Sequence, residues 1–118
     1  MIVGLGVDVV DLARFERAVS RTPRLRERLF AESERALPLR SLAGRFAAKE
    51  ALVKALGDAE DVTWVDMRIA SDASGNPAFV LDGPLAALLE RRGVAALHVS
   101  MTHDAGVAVA TVVAERLP

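Results

Sequence analysis

The 118-residue chain contains no cysteine. That excludes a disulfide framework, a thiolate metal centre and a cysteine nucleophile. Aromatic residues make up only 4% of the chain against 52% hydrophobic residues, so the core has to be aliphatic, built from Ala, Val and Leu. No apolar run approaches the ~18 residues of a membrane span. The N-terminus has neither the basic start nor the cleavage site of a secretory signal. The expectation is a cytoplasmic protein with no membrane partner. A net charge of −1 gives no global case for nucleic acid. Repeats, low-complexity tracts and linkers are missing too, and the length fits one domain, residues 1–118. The apolar fraction is high for so small a chain, and an oligomer that hides surface would account for it.

Lysine is also scarce. Thirteen of the fifteen basic residues are arginine, and the two lysines, Lys49 and Lys54, fall in one stretch. That stretch, Arg45-Phe46-Ala47-Ala48-Lys49-Glu50-Ala51-Leu52-Val53-Lys54-Ala55-Leu56-Gly57, reads as a helix from about Ser41 to Leu56. Ser41 is the candidate N-cap and Gly57 the stop. Its apolar residues run nearly all round, which marks a buried helix. Arg45, Lys49, Glu50 and Lys54 inside it are costly unless they meet partners or a ligand. An ammonium is a compact charge suited to phosphate. The competing reading is a Glu50–Lys54 pair on a solvated face.

Ile2 to Val10 reads as a strand, with Val3, Leu5, Val7 and Val9 on one face and Gly4, Gly6, Asp8 and Val10 on the other. Asp8 stands beside two residues without side chains, a clearing in which a carboxylate could hold a metal ion; the alternative is a solvated strand end. Asp11 is placed to cap a helix from Leu12 to Ser20. Arg14, Arg17 and Arg21 form one ridge of that helix, followed by Arg24, Arg26 and Arg28. A local basic surface on a near-neutral chain fits an acidic partner, or an ordinary solvated face. A short helix is expected over Pro23–Phe30, a further helical turn at Ser33-Glu34, a strand over Val62–Ala70, a hairpin through Gly75-Asn76 and a return over Ala78–Asp82. A helix from Gly83-Pro84 to Arg92 follows. Two strands, Ala96–Thr102 and the uncharged Val107–Ala114, close the chain around a turn at Asp104-Ala105-Gly106. The uncharged final strand is expected to be central or at a subunit interface. His103 lies at a strand end between Thr102 and Asp104, a cluster that binds phosphate or is simply hydrogen-bonded.

Three segments taken together, Gly6-Val7-Asp8-Val9-Val10-Asp11-Leu12, Arg45-Phe46-Ala47-Ala48-Lys49-Glu50-Ala51 and Val99-Ser100-Met101-Thr102-His103-Asp104, resemble the signature regions of the holo-[acyl-carrier-protein] synthases, the small 4′-phosphopantetheinyl transferases. The hairpin with Asp72, Gly75 and Pro77 fits as well; the connection from Leu29 to Ser41 is short for the family. The resemblance implies an α+β fold, a mostly antiparallel sheet wrapped around the central helix, in a homotrimer with sites at the subunit interfaces. It implies transfer of 4′-phosphopantetheine from coenzyme A to a serine of apo acyl carrier protein, releasing adenosine 3′,5′-bisphosphate. Asp8 and Glu50 match the family's Mg²⁺ carboxylates, in keeping with the ion's taste for a few carboxylates plus phosphate oxygens. Lys54 matches a lysine near the transferred phosphate. Arg45, Lys49, Thr102 and His103 correspond to coenzyme-binding positions. The general base is either Glu50 through a metal-bound water or a neutral Lys54, and the former is simpler. Arg14 matches a carrier-binding position, and Arg17, Arg21 and Arg24 extend it along the basic ridge toward an acidic carrier. The reading from a different class is a non-catalytic trimeric module that binds a nucleotide or an acidic protein; paired carboxylates facing a pyrophosphate argue against it.

Overall fold

The computed structural model describes residues 1–118. In chain order the elements are β1 (Ile2–Asp11), α1 (Leu12–Arg21), α2 (Leu25–Leu29), α3 (Leu39–Leu56), a 3₁₀ turn (Trp64–Asp66), β2 (Ile69–Ser71), β3 (Pro77–Phe79), α4 (Gly83–Arg92), β4 (Ala96–Asp104) and β5 (Val107–Glu115). The main sheet has the order β1-β5-β4, and β2 and β3 form a separate hairpin. Every pairing is antiparallel. The chain is therefore α+β, with the sheet laid against α3. Strand β5, uncharged from Val107 to Ala114, is the central one of the three. No helix is long and apolar enough to cross a membrane.

Helix α3 organises the core. Leu42, Ala43, Ala47, Ala48, Ala51 and Leu52 are fully buried, and each large aliphatic side chain so removed from water contributes roughly 2 kcal/mol. The helix stops at Gly57, whose φ of 81° is left-handed, a conformation that carries no Cβ penalty in glycine. It starts at Leu39 behind Pro38 rather than at Ser41: the fixed φ of proline sets the entry, and no side chain caps it.

Strand β1 lies hard against α3 because Gly4 and Gly6 face it. A Cβ on Gly6 would stand 1.8 Å from the Ala51 carbonyl oxygen, and one on Gly4 2.0 Å from that of Ala55. The close approach carries Asp8, two residues on and on the same face, to the flank of α3. The opposite face of β1 is open: Leu5, Val7 and Val9 are 66%, 54% and 59% exposed.

Three expectations are corrected. Val62–Ala70 is not one strand; Thr63 and Asp66 form a reciprocal capping box around a 3₁₀ turn, and only Ile69–Ser71 pairs. The return strand is Pro77–Phe79, shorter than Ala78–Asp82, and Asp82 instead precedes α4. Ser33-Glu34 lies in a run of turns that does not propagate into a helix; the Ala31 carbonyl accepts from the Glu34 and Arg35 N–H groups, and the Glu34 side chain accepts the Ala31 N–H at 3.0 Å.

Candidate active site

Asp8, Glu50 and Lys54 line one cleft of about 480 Å³ between β1, α1, α2 and α3, walled by Val9, Val10, Phe15, Leu25, Leu29 and Phe46, with Arg14 beside them. Glu50 and Lys54, four residues apart on α3, share a helix face. The Lys54 ammonium donates to Asp8 Oδ1 at 3.0 Å and to the Val7 carbonyl at 3.2 Å. Half of the Lys54 side chain stays exposed, so it can reach an arriving anion. Burial raises the Glu50 carboxyl above its ordinary range, the Asp8 carboxylate pushes it further, and Lys54 offsets part of the rise. Two carboxylates thus share one cation and repel each other. A hard divalent cation that takes one or two carboxylates and draws its other ligands from phosphate and water fits this donor set. No third metal-binding side chain joins the cluster.

The other expected residues fall into separate groups. Arg14, Arg17 and Arg21 are exposed on α1, and Arg24 is exposed at the start of α2. Arg17 and Arg21 border a shallow groove with Glu16 and Ser20. Asp11 caps α1 by accepting the Arg14 N–H at 2.9 Å, which lowers its carboxyl. Thr102 and His103 do not join Asp8 within one chain. Asp8 is on edge strand β1, whereas they sit on β4, across β5 from it. Thr102 is exposed on the side of the sheet away from α3, while the His103 Nε2 bonds with the Arg40 carbonyl at 2.9 Å near the start of that helix.

Lys49 is a further correction. Expected at the coenzyme phosphates, it is fully buried. Its ammonium donates to Glu34 Oε1 at 2.7 Å, the Leu29 carbonyl at 2.8 Å and the Trp64 carbonyl at 3.0 Å. It also lies 4.9 Å from the centre of the Phe30 ring. Burial lowers its pKa, and the bond it donates to Glu34 restores part of the loss. Arg45, four residues earlier, is mostly buried, with its Nε 3.6 Å from Glu34 Oε2. Burial lowers the Arg45 pKa as well, against the pull of Glu34.

Glu34 escaped the sequence reading. The signal for it was indirect: a lysine in an apolar helix demands a counter-ion, and only a carboxylate from a distant segment could supply one. The aromatics show a related economy. Phe15, Phe30, Phe46 and Trp64, four of the five in the chain, form one chain of ring contacts between Lys49 and the cleft.

Comparison with known proteins places the chain in a family. The family model of the 4′-phosphopantetheinyl transferase superfamily matches residues 4–112. The holo-[acyl-carrier-protein] synthase of Leifsonia xyli subsp. xyli is 62% identical over 116 residues, covering 98% of both chains. The crystal structure of the corresponding synthase from Neisseria meningitidis superimposes with a TM-score of 0.90 at 34% identity, over 98% of this chain and all of that one. That of the Helicobacter pylori synthase in complex with coenzyme A gives 0.84 at 32% identity, over 94% and 99%. With a family match across nearly its whole length and identity of this extent, the chain belongs to the 4′-phosphopantetheinyl transferase superfamily, among its holo-[acyl-carrier-protein] synthases.

Proposed function

We propose that the Asp8–Glu50–Lys54 cleft carries out the family's transfer, moving 4′-phosphopantetheine from coenzyme A to a serine of apo acyl carrier protein. The observation that carries this reading is the pair of carboxylates, Glu50 raised by burial and then by Asp8, beside a half-exposed lysine in a single cleft. Asp8 and Glu50 would hold Mg²⁺, which when bound lowers the charge of the pyrophosphate. Lys54 stands where it can bind a phosphoryl oxygen as negative charge grows on it, which favours the transition state over the ground state. Glu50, in the cleft beside Asp8 and Lys54, is assigned to receive the serine proton through a water. The apolar walls exclude water from the reacting phosphate.

Arg45, Thr102 and His103 serve the coenzyme, and the exposed arginines of α1 and α2 receive the acidic carrier. These groups come together in a homotrimer. The open face of Val3, Leu5, Val7 and Val9 supports this, continuing across the sheet into half-buried Val109 and Val113 of β5; such a patch calls for another protein surface. Assembly would then bring the Thr102–His103 edge of one copy to the Asp8 cleft of the next. Incubation with apo acyl carrier protein, coenzyme A and Mg²⁺, read by intact mass, tests the proposal. The carrier should gain one phosphopantetheine group for each adenosine 3′,5′-bisphosphate released, and an unchanged carrier mass would reject it.

A further inference from the structure

Arg45 and Lys49 lie four residues apart on α3 and both face Glu34, so one carboxylate serves two cations. Its oxygens are divided unequally. Oε1 takes the Lys49 ammonium at 2.7 Å and the Ala31 N–H at 3.0 Å. Oε2 takes the Ile69 N–H at 3.2 Å and stands 3.6 Å from Arg45 Nε, too far for a hydrogen bond. Lys49 has spent all three donors, on Glu34, Leu29 and Trp64. The Arg45 Nε, in contrast, is buried with no hydrogen-bond partner. The side chain keeps 13% of its surface exposed, which is what an incoming anion would meet. The cluster therefore holds one more positive charge than negative, and the surplus sits on Arg45.

We propose that Lys49 is a positioning residue: by engaging Glu34, it keeps Arg45 from being drawn inward and leaves its guanidinium available to a phosphate of the coenzyme. The proposal rests on the reading of Arg45 as a coenzyme ligand. Without Lys49, a buried carboxylate would have Arg45 as its nearest cation, and closing the gap would complete an inward ion pair. Glu34 would then compete with the coenzyme for the same guanidinium. Lys49 thus acts on coenzyme affinity without touching the coenzyme.

The test compares Arg45→Met, Lys49→Met, Glu34→Gln and the Lys49→Met/Glu34→Gln double variant in steady-state kinetics against coenzyme A and the carrier, with thermal melts alongside. Loss of one charge-assisted hydrogen bond should raise the coenzyme A KM about tenfold or more in Arg45→Met and in Lys49→Met, with the carrier KM changed less than about twofold. The double variant should bring the coenzyme A KM back to within about threefold of wild type, although its melting temperature stays low. A purely structural lysine predicts no such recovery, because the second substitution removes further contacts. A wild-type coenzyme A KM in Lys49→Met, or no recovery in the double variant, overturns the proposal while leaving the Arg45 reading in place. An unchanged KM in Arg45→Met overturns both. If Lys49→Met does not fold, Glu34→Gln decides alone: it abolishes the inward competitor, so the coenzyme A KM should not rise, and a tenfold rise (about one charge-assisted hydrogen bond) refutes the role.

Discussion

Gly6→Ala tests how the fold delivers Asp8 to its site. Gly6 is buried in β1, in register with Val112 of β5. An added Cβ would lie 1.8 Å from the Ala51 oxygen, 2.8 Å from its carbonyl carbon and 2.9 Å from the Ala55 nitrogen. All three are backbone atoms of α3, so no side chain can swing aside. Reaching even 3.0 Å, the floor for real Cβ contacts, requires β1 and α3 to part by about 1.2 Å. Asp8 is two residues further along the same face, and its 3.0 Å bond to Lys54 would open beyond hydrogen-bonding range. Overpacking of this kind costs about 1–3 kcal/mol, which at this chain length lowers the melting temperature by roughly 4 °C per kcal/mol. A misplacement of about 1 Å in a reacting constellation costs on the order of 100-fold in rate. Differential scanning calorimetry and single-turnover carrier modification read the two effects. A Gly6→Ala protein with wild-type melting temperature and rate would show that the β1–α3 approach does not set the site.

Other perturbations address the carrier surface, the carboxylate pair and assembly. Arg14→Glu, alone or with Arg21→Glu, should raise the carrier KM and weaken its salt dependence while coenzyme A binding changes little, because exposed rim charges chiefly steer encounter; loss of coenzyme affinity with an unchanged carrier KM would refute the assignment. The raised Glu50 pKa means that ionising this group opposes folding, an effect complete above the raised value and gone below its ordinary 4.5. Metal-free Glu50→Gln should therefore melt higher than wild type at neutral pH, with the gap closing on acidification; a gap that widens toward acid contradicts the sign. Leu5→Arg, on the open face of β1, should give monomers by light scattering where wild type gives trimers, and a fully active wild-type monomer would reject the assembly.

What the sequence revealed was local chemistry. The Asp11 cap, the Gly57 stop and the Asp104-Ala105-Gly106 turn each depend on a few neighbouring residues and are found as expected. The two faces of β1 followed from strict alternation, including the glycine clearing that leads to Asp8. The environment of Lys49 was not legible, because Leu29, Glu34 and Trp64 reach it from 15 to 20 residues away. Helical spacing gave Arg45 and Lys49 a common face and could not say what that face meets. The Val62–Ala70 stretch misled for the opposite reason: β-prone Val62, Trp64 and Val65 were overruled by the Thr63–Asp66 capping box.

Whether Asp8 and Glu50 form a metal-dependent transfer site is decided by measuring carrier modification against Mg²⁺ concentration for wild type, Asp8→Asn and Glu50→Gln, with circular dichroism to establish that each is folded. Wild type should show saturable activation by Mg²⁺ and lose transfer on chelation, while both folded variants stay inactive across the titration. Wild-type turnover by either variant at limiting Mg²⁺ would show that the two carboxylates do not form such a site.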